Sequence, residues 1–339
     1  MSKIKVGIIN VTGYAGVELA RLLSGHPGVT LASISGRSAA GKKLEEVFPH
    51  LAGIDLTIEG ELGDVDLAFS ALPHKESAAE VIPLLRKGVK IIDLSADFRL
   101  GDPGLYPLWY GFSHPSPELL KEAVFGLTEL YRAQVKSSQL IANPGCYPTG
   151  AILALAPAIK AGLTGTRFIV DSKSGVSGAG RSLSLSTHFA EADEDVAAYA
   201  LDGHRHLPEI AQELSKLQEG KAEVTFVPHL IPMTRGILTT AYAPLARQVE
   251  AAELRKLYAD YYKDEAFVRV VSAPPHTKHT WGSNTCLVYP CLDPRTNTLI
   301  AVSALDNLVK GAAGQAIQNM NVMLGLDEGT GLTATAVWP

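Results

Sequence analysis

The stretch KVGIINVTGYAGVEL, Lys5–Leu19, decides the fold because it leads from an apolar run through a glycine turn into a helical pattern. The run KVGII is typical of a buried strand, and the apolar residues of YAGVELARLLSGH recur at helical spacing. A turn built on Gly13 and Gly16 lets the backbone approach a pyrophosphate, whose charge the N–H groups at the helix start stabilise. The stretch predicts the start of a dinucleotide-binding domain; a glycine turn that binds nothing is the alternative.

Strand-like and helix-like segments continue to alternate after this stretch. They are the strands VTLASIS, DVDLAFSAL, VKIIDLSA and LIANPG, with the helix ESAAEVIPLLRKG among them. This alternation predicts an α/β domain with a Rossmann-type, doubly wound parallel sheet. Beyond residue 160 helices become fewer, and six strand candidates predict an α+β domain with a mixed sheet: TRFIVDSKSG, EVTFVPHL, GILTTAYAPL, FVRVVSA, NTCLVYPCL and TLIAVSAL.

The composition is typical of a soluble enzyme of two domains. The chain has 339 residues, of which 46% are hydrophobic and 19% charged, and its net charge is −5. The absence of a long basic run argues against nucleic acid or an anionic membrane as partner. The apolar run at the N-terminus is too short for a signal peptide or a membrane span, and three cysteines make no disulfide framework. We therefore expect a cytoplasmic protein.

The end of the second predicted strand indicates which nicotinamide cofactor binds. NAD enzymes place an acidic residue there to hold the ribose hydroxyls, whereas NADP enzymes favour basic or small polar residues. Ser35, Arg37, Ser38 and Lys42 occupy this segment, and the first acidic residue is Glu45. The segment therefore favours NADP(H); the alternative is a solvated basic loop.

Cys146 is placed as a nucleophile would be. It follows a strand and a Pro-Gly turn and begins a helical pattern, where N–H groups and the helix dipole favour a thiolate. The strand end also lies at the edge where open α/β sheets bind their ligands. Cys286 and Cys291 lie in an apolar strand and are expected to be core residues.

A thiolate nucleophile needs a partner for proton transfer, and the segment GHRHLPEI offers one. His204, His206 and Glu209 fall within six residues, and a helical turn would place His206 and Glu209 on one face. A metal site is the rival interpretation. Because no further ligand motif such as HExxH accompanies the cluster, we predict no metal.

Two further segments contain candidate binding residues. SKSGVSGAGR, residues 172–181, has the glycine and serine content of a backbone anion nest, with Lys173 and Arg181 towards its ends. PHLIPMTRGIL carries Arg235 among apolar residues, which points to a carboxylate or phosphate partner. For each segment an ordinary structural loop is the alternative.

A nicotinamide domain together with an activated cysteine narrows the chemistry to the interconversion of an aldehyde and an activated acid through a thioester. Over essentially its whole length the sequence resembles the N-acetyl-γ-glutamyl-phosphate reductase family, the NADPH-dependent enzymes of arginine biosynthesis that are related to aspartate-semialdehyde dehydrogenase. The motifs that carry the resemblance are TGYAGVEL, ALPH (Ala71–His74), IIDLSADFRL, NPGCYPT, SKSGVSGAGR, GHRHLPE, PHLIPMTRGI and DNLVKGAAGQAIQNMN.

The resemblance implies a role for each matching residue. It implies Cys146 as nucleophile, His206 as acid/base with His204 beside it, and Glu209 as the group that orients the histidine or meets the substrate. The residues implied to contact substrate are Arg235, Ser174 and Asn143. The residues implied to hold NADP are Gly13, Tyr14, Ala15, Gly16, Ser35, Arg37, Ser38, Leu72, Pro73, Gly178 and Asn307. One departure is Asn10, where many relatives have glycine; Asn tolerates a positive φ, so we expect the turn to survive.

The resemblance also implies domain boundaries and an assembly. Residues 1–147 with 307–339 would form the NADP-binding domain, because the last helix returns to it, and 148–306 the catalytic and oligomerisation domain. The implied partners are a small acyl phosphate and further copies of the chain, as a homodimer or homotetramer. Three rival functions stay open: reduction of an aminoadipyl phosphate in lysine biosynthesis, aspartate-semialdehyde dehydrogenation, and a catalytically dead nucleotide-binding regulator.

Overall fold

Parallel strands build the first sheet, as the alternating segments predicted. A computed structural model of the protein describes residues 3–339. Seven strands lie in the order β3-β2-β1-β4-β5-β7-β6, and every neighbouring pair is parallel. The strands are β1 (Ile4–Ile9), β2 (Val29–Ser35), β3 (Ile58–Glu59), β4 (Leu67–Ser70), β5 (Lys90–Asp93), β6 (Val124–Phe125) and β7 (Leu140–Ala142). The strand order reverses between β1 and β4, which is where such sheets bind ligands.

The second sheet is mixed, as predicted. Its order is β12-β13-β14-β11-β8-β10-β9; the pairs β8/β10 and β12/β13 are parallel and the others antiparallel. The strands are β8 (Arg167–Gly175), β9 (Ala197–Ala198), β10 (Glu223–Ile231), β11 (Ile237–Pro244), β12 (Val268–Val270), β13 (Cys286–Asp293) and β14 (Thr298–Leu305). The two-residue strands β3, β6 and β9 were not predicted from the sequence.

The helices follow the apolar spacing of the sequence. They are α1 (Tyr14–Ser24), α2 (Leu44–Val47), α3 (Ser77–Arg86), α4 (Leu105–Tyr110), α5 (Thr128–Ser137), α6 (Cys146–Lys160), α7 (Phe189–Ala192), α8 (Leu207–Lys216), α9 (Ala251–Tyr262) and α10 (Gly314–Met323). A π-helical turn, Val309–Ala313, precedes α10. The long helix α6 packs on strands β11, β13 and β14 of the second sheet, beside α8 and α9. Gly150 allows this close approach, since a Cβ there would lie 3.0 Å from Ser303 Oγ.

The chain folds into two compact units whose boundaries differ from the expected ones. The first unit ends at Pro144 and takes back Ala312–Ala334; the second comprises Gly145–Gly311 and Thr335–Pro339. Cys146 therefore belongs to the second unit, because the helix that it begins packs on the second sheet. The last residues also differ from the expectation, since Val337 N–H donates to Trp281 O at 2.9 Å.

Within the residues that the structure describes, we find no helix with the length and apolar character required to span a membrane.

Candidate active site

The predicted cofactor turn lies at the reversal point of the first sheet. Gly13 is the N-cap of α1, whose first turn contains no acidic residue. A Cβ on Gly16 would lie only 2.4 Å from Asn10 O, so the helix start and the strand end pack too closely for any side chain. The N–H groups of this turn and the dipole of an eleven-residue helix form a donor set that fits a pyrophosphate.

Asn10 preserves the turn in place of a glycine. Its φ is 65°, in the left-handed region that asparagine tolerates. Its Nδ2 donates to Ala71 O at 2.9 Å, which ties the end of β1 to the segment after β4. The backbone of the turn thus keeps its conformation with asparagine at this position, as expected. The hydrogen bond to Ala71 O gives Asn10 a structural role.

Other predicted cofactor residues lie at the same edge of the sheet. Parallel strands β2, β1 and β4 are neighbours, so the segments after them share one edge. Ser35 ends β2 and its carbonyl accepts the N–H of Val11 at 2.9 Å. Arg37 and Ser38 follow and are exposed, whereas Leu72 and Pro73 follow β4.

Arg37 makes two ion pairs with the N-terminal part of α3. Its guanidinium lies against the carboxylates of Glu76 and Glu80, and its side chain is 66% exposed. Exposed ion pairs of this kind contribute about 0–1 kcal/mol to stability. Arg37 can therefore leave the two carboxylates and bind a phosphate at a small cost in free energy.

Asn143 fixes the end of β7 within the first unit, and its contact with the substrate stays a prediction. Its side chain is buried, donates to Ala312 O at 3.1 Å and accepts from Asn319 Nδ2 at 3.0 Å. Its backbone N–H donates to Asp93 O at 2.8 Å, and its carbonyl accepts from Arg99 Nε at 2.8 Å. These contacts give Asn143 a structural role.

Cys146 is half-buried at the first position of α6, with Gly145 as N-cap. The dipole of this fifteen-residue helix favours a negative charge on its first residue. Gly311 packs against it, since a Cβ there would lie 2.9 Å from Cys146 Cβ. The chain's other thiols, Cys286 and Cys291, lie on β13 and are also reduced.

Glu209 braces the turn before the cysteine. The residue is fully buried in the first turn of α8, and its Oε1 accepts the N–H of Gly145 at 2.7 Å. A carboxylate that accepts a backbone N–H is a strong, directional hydrogen-bond partner. Glu209 therefore acts on the cysteine turn, a role that the sequence analysis did not foresee.

The two histidines lie against the residue that follows the cysteine. The ring of Tyr147 is 5.6 Å from that of His204 and 5.8 Å from that of His206, and the two imidazoles are 4.9 Å apart. His206 is the N-cap of α8. The starts of α6 and α8 therefore bring together the cysteine, both histidines and Glu209.

His204 is electrically neutral. Burial, assisted by the neighbouring Arg205 charge, lowers the pKa of His204 to about 4. Its Nδ1 accepts the backbone N–H of His206 at 3.0 Å, which places the ring proton on Nε2. That Nε2 lies 3.4 Å from the Tyr199 hydroxyl.

A chain of hydroxyls continues from His204. The Tyr199 hydroxyl donates to the Tyr147 hydroxyl, which donates to His229 O, both at 3.2 Å. Burial raises the pKa of Tyr199 to about 12, with the Cys146 charge adding to the effect, and raises that of Tyr147 further. Both hydroxyls thus stay protonated, and the chain fixes His204 in one tautomer.

Arg235 lies between β10 and β11 with its side chain 28% exposed. Its Nη1 is 3.2 Å from Oδ2 of Asp306, which is completely buried. Sequence reasoning missed Asp306, although it directly precedes Asn307 in the motif that opens the last helical segment.

In the segment of residues 172–181, the backbone N–H groups of the central residues are used in hydrogen bonds within the protein. The N–H groups of Gly175, Val176 and Ser177 donate to the carbonyls of residues 236, 233 and 234 at 3.0, 2.9 and 3.2 Å. An anion nest at these residues is therefore excluded. Ser174 is buried, and its Oγ donates to Gly175 O at 3.0 Å.

Asn307 and Gly178, predicted cofactor contacts, belong to the second unit. The Asn307 side chain is 2% exposed, accepts from Gly236 N at 2.8 Å and donates to Ser177 Oγ at 3.0 Å. A Cβ on Gly178 would lie 2.9 Å from Ser174 Oγ. Asn307 thus joins the Arg235 loop to the 172–181 loop, and the cofactor contacts of both residues stay predictions.

Two sequence families match the chain. One, described as semialdehyde dehydrogenase, NAD binding domain, matches residues 5–138, and the other, described as semialdehyde dehydrogenase, dimerisation domain, matches residues 146–307. Among solved structures, an aspartate semialdehyde dehydrogenase II from Vibrio cholerae has a TM-score of 0.73 at 17% identity, over 96% of this chain and 99% of that chain. This likeness shows the shared fold.

Curated relatives are far closer in sequence. A protein of Dehalococcoides mccartyi named N-acetyl-gamma-glutamyl-phosphate reductase is 58% identical over 100% of both chains. Proteins of the same name from Desulforamulus reducens and Brevibacillus brevis are 49% and 47% identical over 99% of this chain and 100% of theirs. The matches confirm the predicted fold class, the resemblance and the nicotinamide type of cofactor. The chain belongs to the N-acetyl-gamma-glutamyl-phosphate reductase family, oxidoreductases built on the semialdehyde dehydrogenase fold.

Proposed function

We propose that the protein reduces N-acetyl-γ-glutamyl phosphate to N-acetylglutamate 5-semialdehyde and phosphate with NADPH, as a step of arginine biosynthesis. The observation that carries this proposal is the meeting of Cys146, Glu209 and the two histidines at the starts of α6 and α8. An alcohol dehydrogenase would have no use for an activated thiol in such a place, whereas an acyl phosphate needs a nucleophile.

The first half of the proposed reaction uses the thiolate. Cys146 Sγ attacks the acyl carbon, the bond from that carbon to the phosphate oxygen breaks, and phosphate leaves with its electron pair. A thioester on Cys146 remains. Backbone N–H groups that follow Cys146 at the start of α6 are candidate donors to the oxyanion. Pro148 has no backbone N–H, and the N–H of Thr149 donates to Gly145 O at 3.0 Å. Of the three residues after Cys146, only Tyr147 can therefore offer its backbone N–H to the oxyanion.

The second half needs a hydride and a proton acceptor. When bound at the Gly13–Gly16 turn, the cofactor supplies the hydride that reduces the thioester carbon. The alkoxide formed by hydride addition takes a proton from His206 to give a thiohemiacetal, and His206 takes that proton back as the C–S bond breaks, which releases the aldehyde and restores the thiolate. His204 cannot share this duty near neutral pH, because its pKa lies at about 4 and its ring is held by His206 N–H.

The experiment that tests the function runs the reaction in reverse. NADP reduction is followed with N-acetylglutamate 5-semialdehyde and inorganic phosphate, and activity that depends on phosphate is expected. The controls replace NADP by NAD, omit phosphate, or use the semialdehyde with one more carbon. Activity on the longer semialdehyde alone would assign the protein to lysine biosynthesis. No activity on either semialdehyde would indicate a carrier-bound substrate or a catalytically dead site.

We expect Arg37→Ala to raise the KM for NADPH by about 10- to 100-fold, since charge-assisted hydrogen bonds to the 2′-phosphate are lost. The KM for NADH, which lacks that phosphate, is expected to stay constant. Steady-state kinetics with both cofactors measure the effect. Lys43→Ala is the matched control, because Lys43 is an exposed base of the same region that pairs with Asp55. If both variants change the KM for NADPH equally, the segment is a solvated basic loop that does not recognise the 2′-phosphate.

We also infer that the chain forms a homodimer or homotetramer through the domain of residues 146–307. Large apolar side chains of this domain are 50–103% exposed, which is costly in a monomer: Ile169, Leu183, Leu185, Phe189, Val196 and Leu201. Light scattering is expected to give two or four times the chain mass of 36.0 kDa. A monomer at assay concentrations would contradict the inference.

A further inference from the structure

Asp306 is a buried carboxylate with four hydrogen-bond donors around it. Its side chain is fully buried in the second unit. Oδ1 accepts the N–H groups of Leu308 and Val309 at 2.8 and 3.3 Å. Oδ2 accepts from Gly282 N at 2.8 Å and from Arg235 Nη1 at 3.2 Å. A buried carboxylate is tolerated only when hydrogen-bond donors satisfy it in this way, so Asp306 is held rigidly beside the guanidinium.

The backbone of Arg235 is fixed as firmly as its side chain. Trp281 Nε1 donates to Arg235 O at 2.9 Å, and Asn307 Oδ1 accepts the N–H of Gly236 at 2.8 Å. Gly236 itself has a φ of +109°, which only glycine adopts readily, and a Cβ there would lie 2.9 Å from Thr277 Cβ. The consecutive side chains of Asp306 and Asn307 thus hold the consecutive residues 235 and 236.

The same turn reaches the nucleophile. The carbonyl of Asp306 accepts the N–H of Gly311 at 2.9 Å, which closes the turn of residues 306–311. Gly311 packs directly against Cys146, at a distance that would bring a Cβ to 2.9 Å from Cys146 Cβ. Arg235 and Cys146 are therefore both in contact with one short, hydrogen-bonded turn.

We propose that Asp306 is a positioning residue that aims the Arg235 guanidinium at the carboxylate of the substrate. The inference rests on the proposed function, whose substrate carries a carboxylate at the end remote from the acyl phosphate. The Arg235 side chain is 28% exposed while Asp306 is fully buried. The buried carboxylate therefore holds a guanidinium that is partly accessible to a ligand. An arginine restrained at one nitrogen and along its backbone loses less conformational freedom when it binds a carboxylate.

The test compares two of the three substrates of the reverse reaction, the semialdehyde and inorganic phosphate, because only the semialdehyde carries the carboxylate. Asp306→Asn keeps the side-chain shape and removes the charge. It is expected to raise the KM for the semialdehyde by about tenfold or more. The KM for inorganic phosphate, kcat and the rate of Cys146 alkylation by iodoacetamide are expected to stay within about threefold of wild type, since the chemistry at the thiol is untouched.

A double-mutant cycle separates positioning from a general structural effect. If Asp306 acts through Arg235, then Asp306→Asn adds nothing to the rise in KM that Arg235→Lys already causes. Trp281→Phe provides a second route should Asp306→Asn fold poorly, because it removes the donor to Arg235 O and keeps an aromatic ring. It is expected to raise the same KM by a smaller factor.

Several results would overturn the proposal. A fall in kcat at constant KM, effects of the two substitutions that multiply independently, or a rise in the KM for phosphate alone each contradict it; the last would assign Arg235 to the phosphate. Failure of the proposed function is seen separately, since wild-type protein would then show no phosphate-dependent turnover of the semialdehyde.

Discussion

Replacing Cys146 by serine is expected to abolish turnover and to leave NADPH binding intact. A serine hydroxyl at the start of α6 stays protonated near neutral pH, whereas the helix dipole and the N–H groups favour the thiolate. Loss of a covalent nucleophile costs roughly 10⁴-fold or more in kcat. The reverse assay measures the loss, and quenching of intrinsic fluorescence by NADPH measures binding, with a Kd expected within about twofold of wild type.

Cys291→Ser is the matched control. Cys291 is also a reduced, half-buried thiol, but it lies on β13 and donates weakly to Leu292 O at 3.8 Å. We expect this variant to keep full activity and the one fast phase of iodoacetamide labelling that Cys146→Ser removes. Substantial turnover by Cys146→Ser, or a fast phase that survives in it, would remove Cys146 from the role of nucleophile.

Local pattern was sufficient to predict the architecture. Apolar runs of four to nine residues and helical spacing after Gly13 predicted each long strand and the helices α1, α3 and α6. The strands β3, β6 and β9 escaped because two residues show no period; each forms only where a neighbouring strand supplies hydrogen bonds. The position of Cys146 was predictable for the same reason as α1, since strand, turn and helix are contiguous in sequence.

The partners within the site were not predictable, because they come from distant loops. Asp306 is identifiable as a positioning group only once Gly282 and Arg235 are seen to donate to it. Likewise the glycine-rich loop of residues 172–181 has the composition of an anion nest, yet its N–H groups donate to the Arg235 loop. Composition gives the conformations that a loop can adopt, whereas packing decides where its donors point.

The choice between His204 and His206 shows the same limit. The two histidines lie two residues apart in one motif, and the sequence alone left open which of them is the acid/base. The structure separates them by environment: His204 is neutral and engaged at both ring nitrogens, by His206 N–H and by Tyr199. A ring held in this way serves to fix the start of α8, where His206 stands as N-cap.

His206→Asn is therefore expected to lower kcat by roughly 10²- to 10³-fold, the usual contribution of a general acid or base. The KM values are expected to change little, because the proton is transferred only as the thiohemiacetal forms or collapses. Steady-state kinetics in the reverse assay measure kcat and the KM values of this variant.

His204→Asn is the matched comparison, because asparagine Oδ1 can replace Nδ1 as acceptor of the His206 N–H. We expect it to lower kcat by less than about tenfold, a positioning effect. The pH profile of kcat between pH 5 and 9 should keep its wild-type shape, because the pKa of His204 lies at about 4 and the residue is neutral throughout this range. If His204→Asn instead proves the more damaging change, His204 is the acid/base and the hydroxyl chain of Tyr199 and Tyr147 becomes its route for protons.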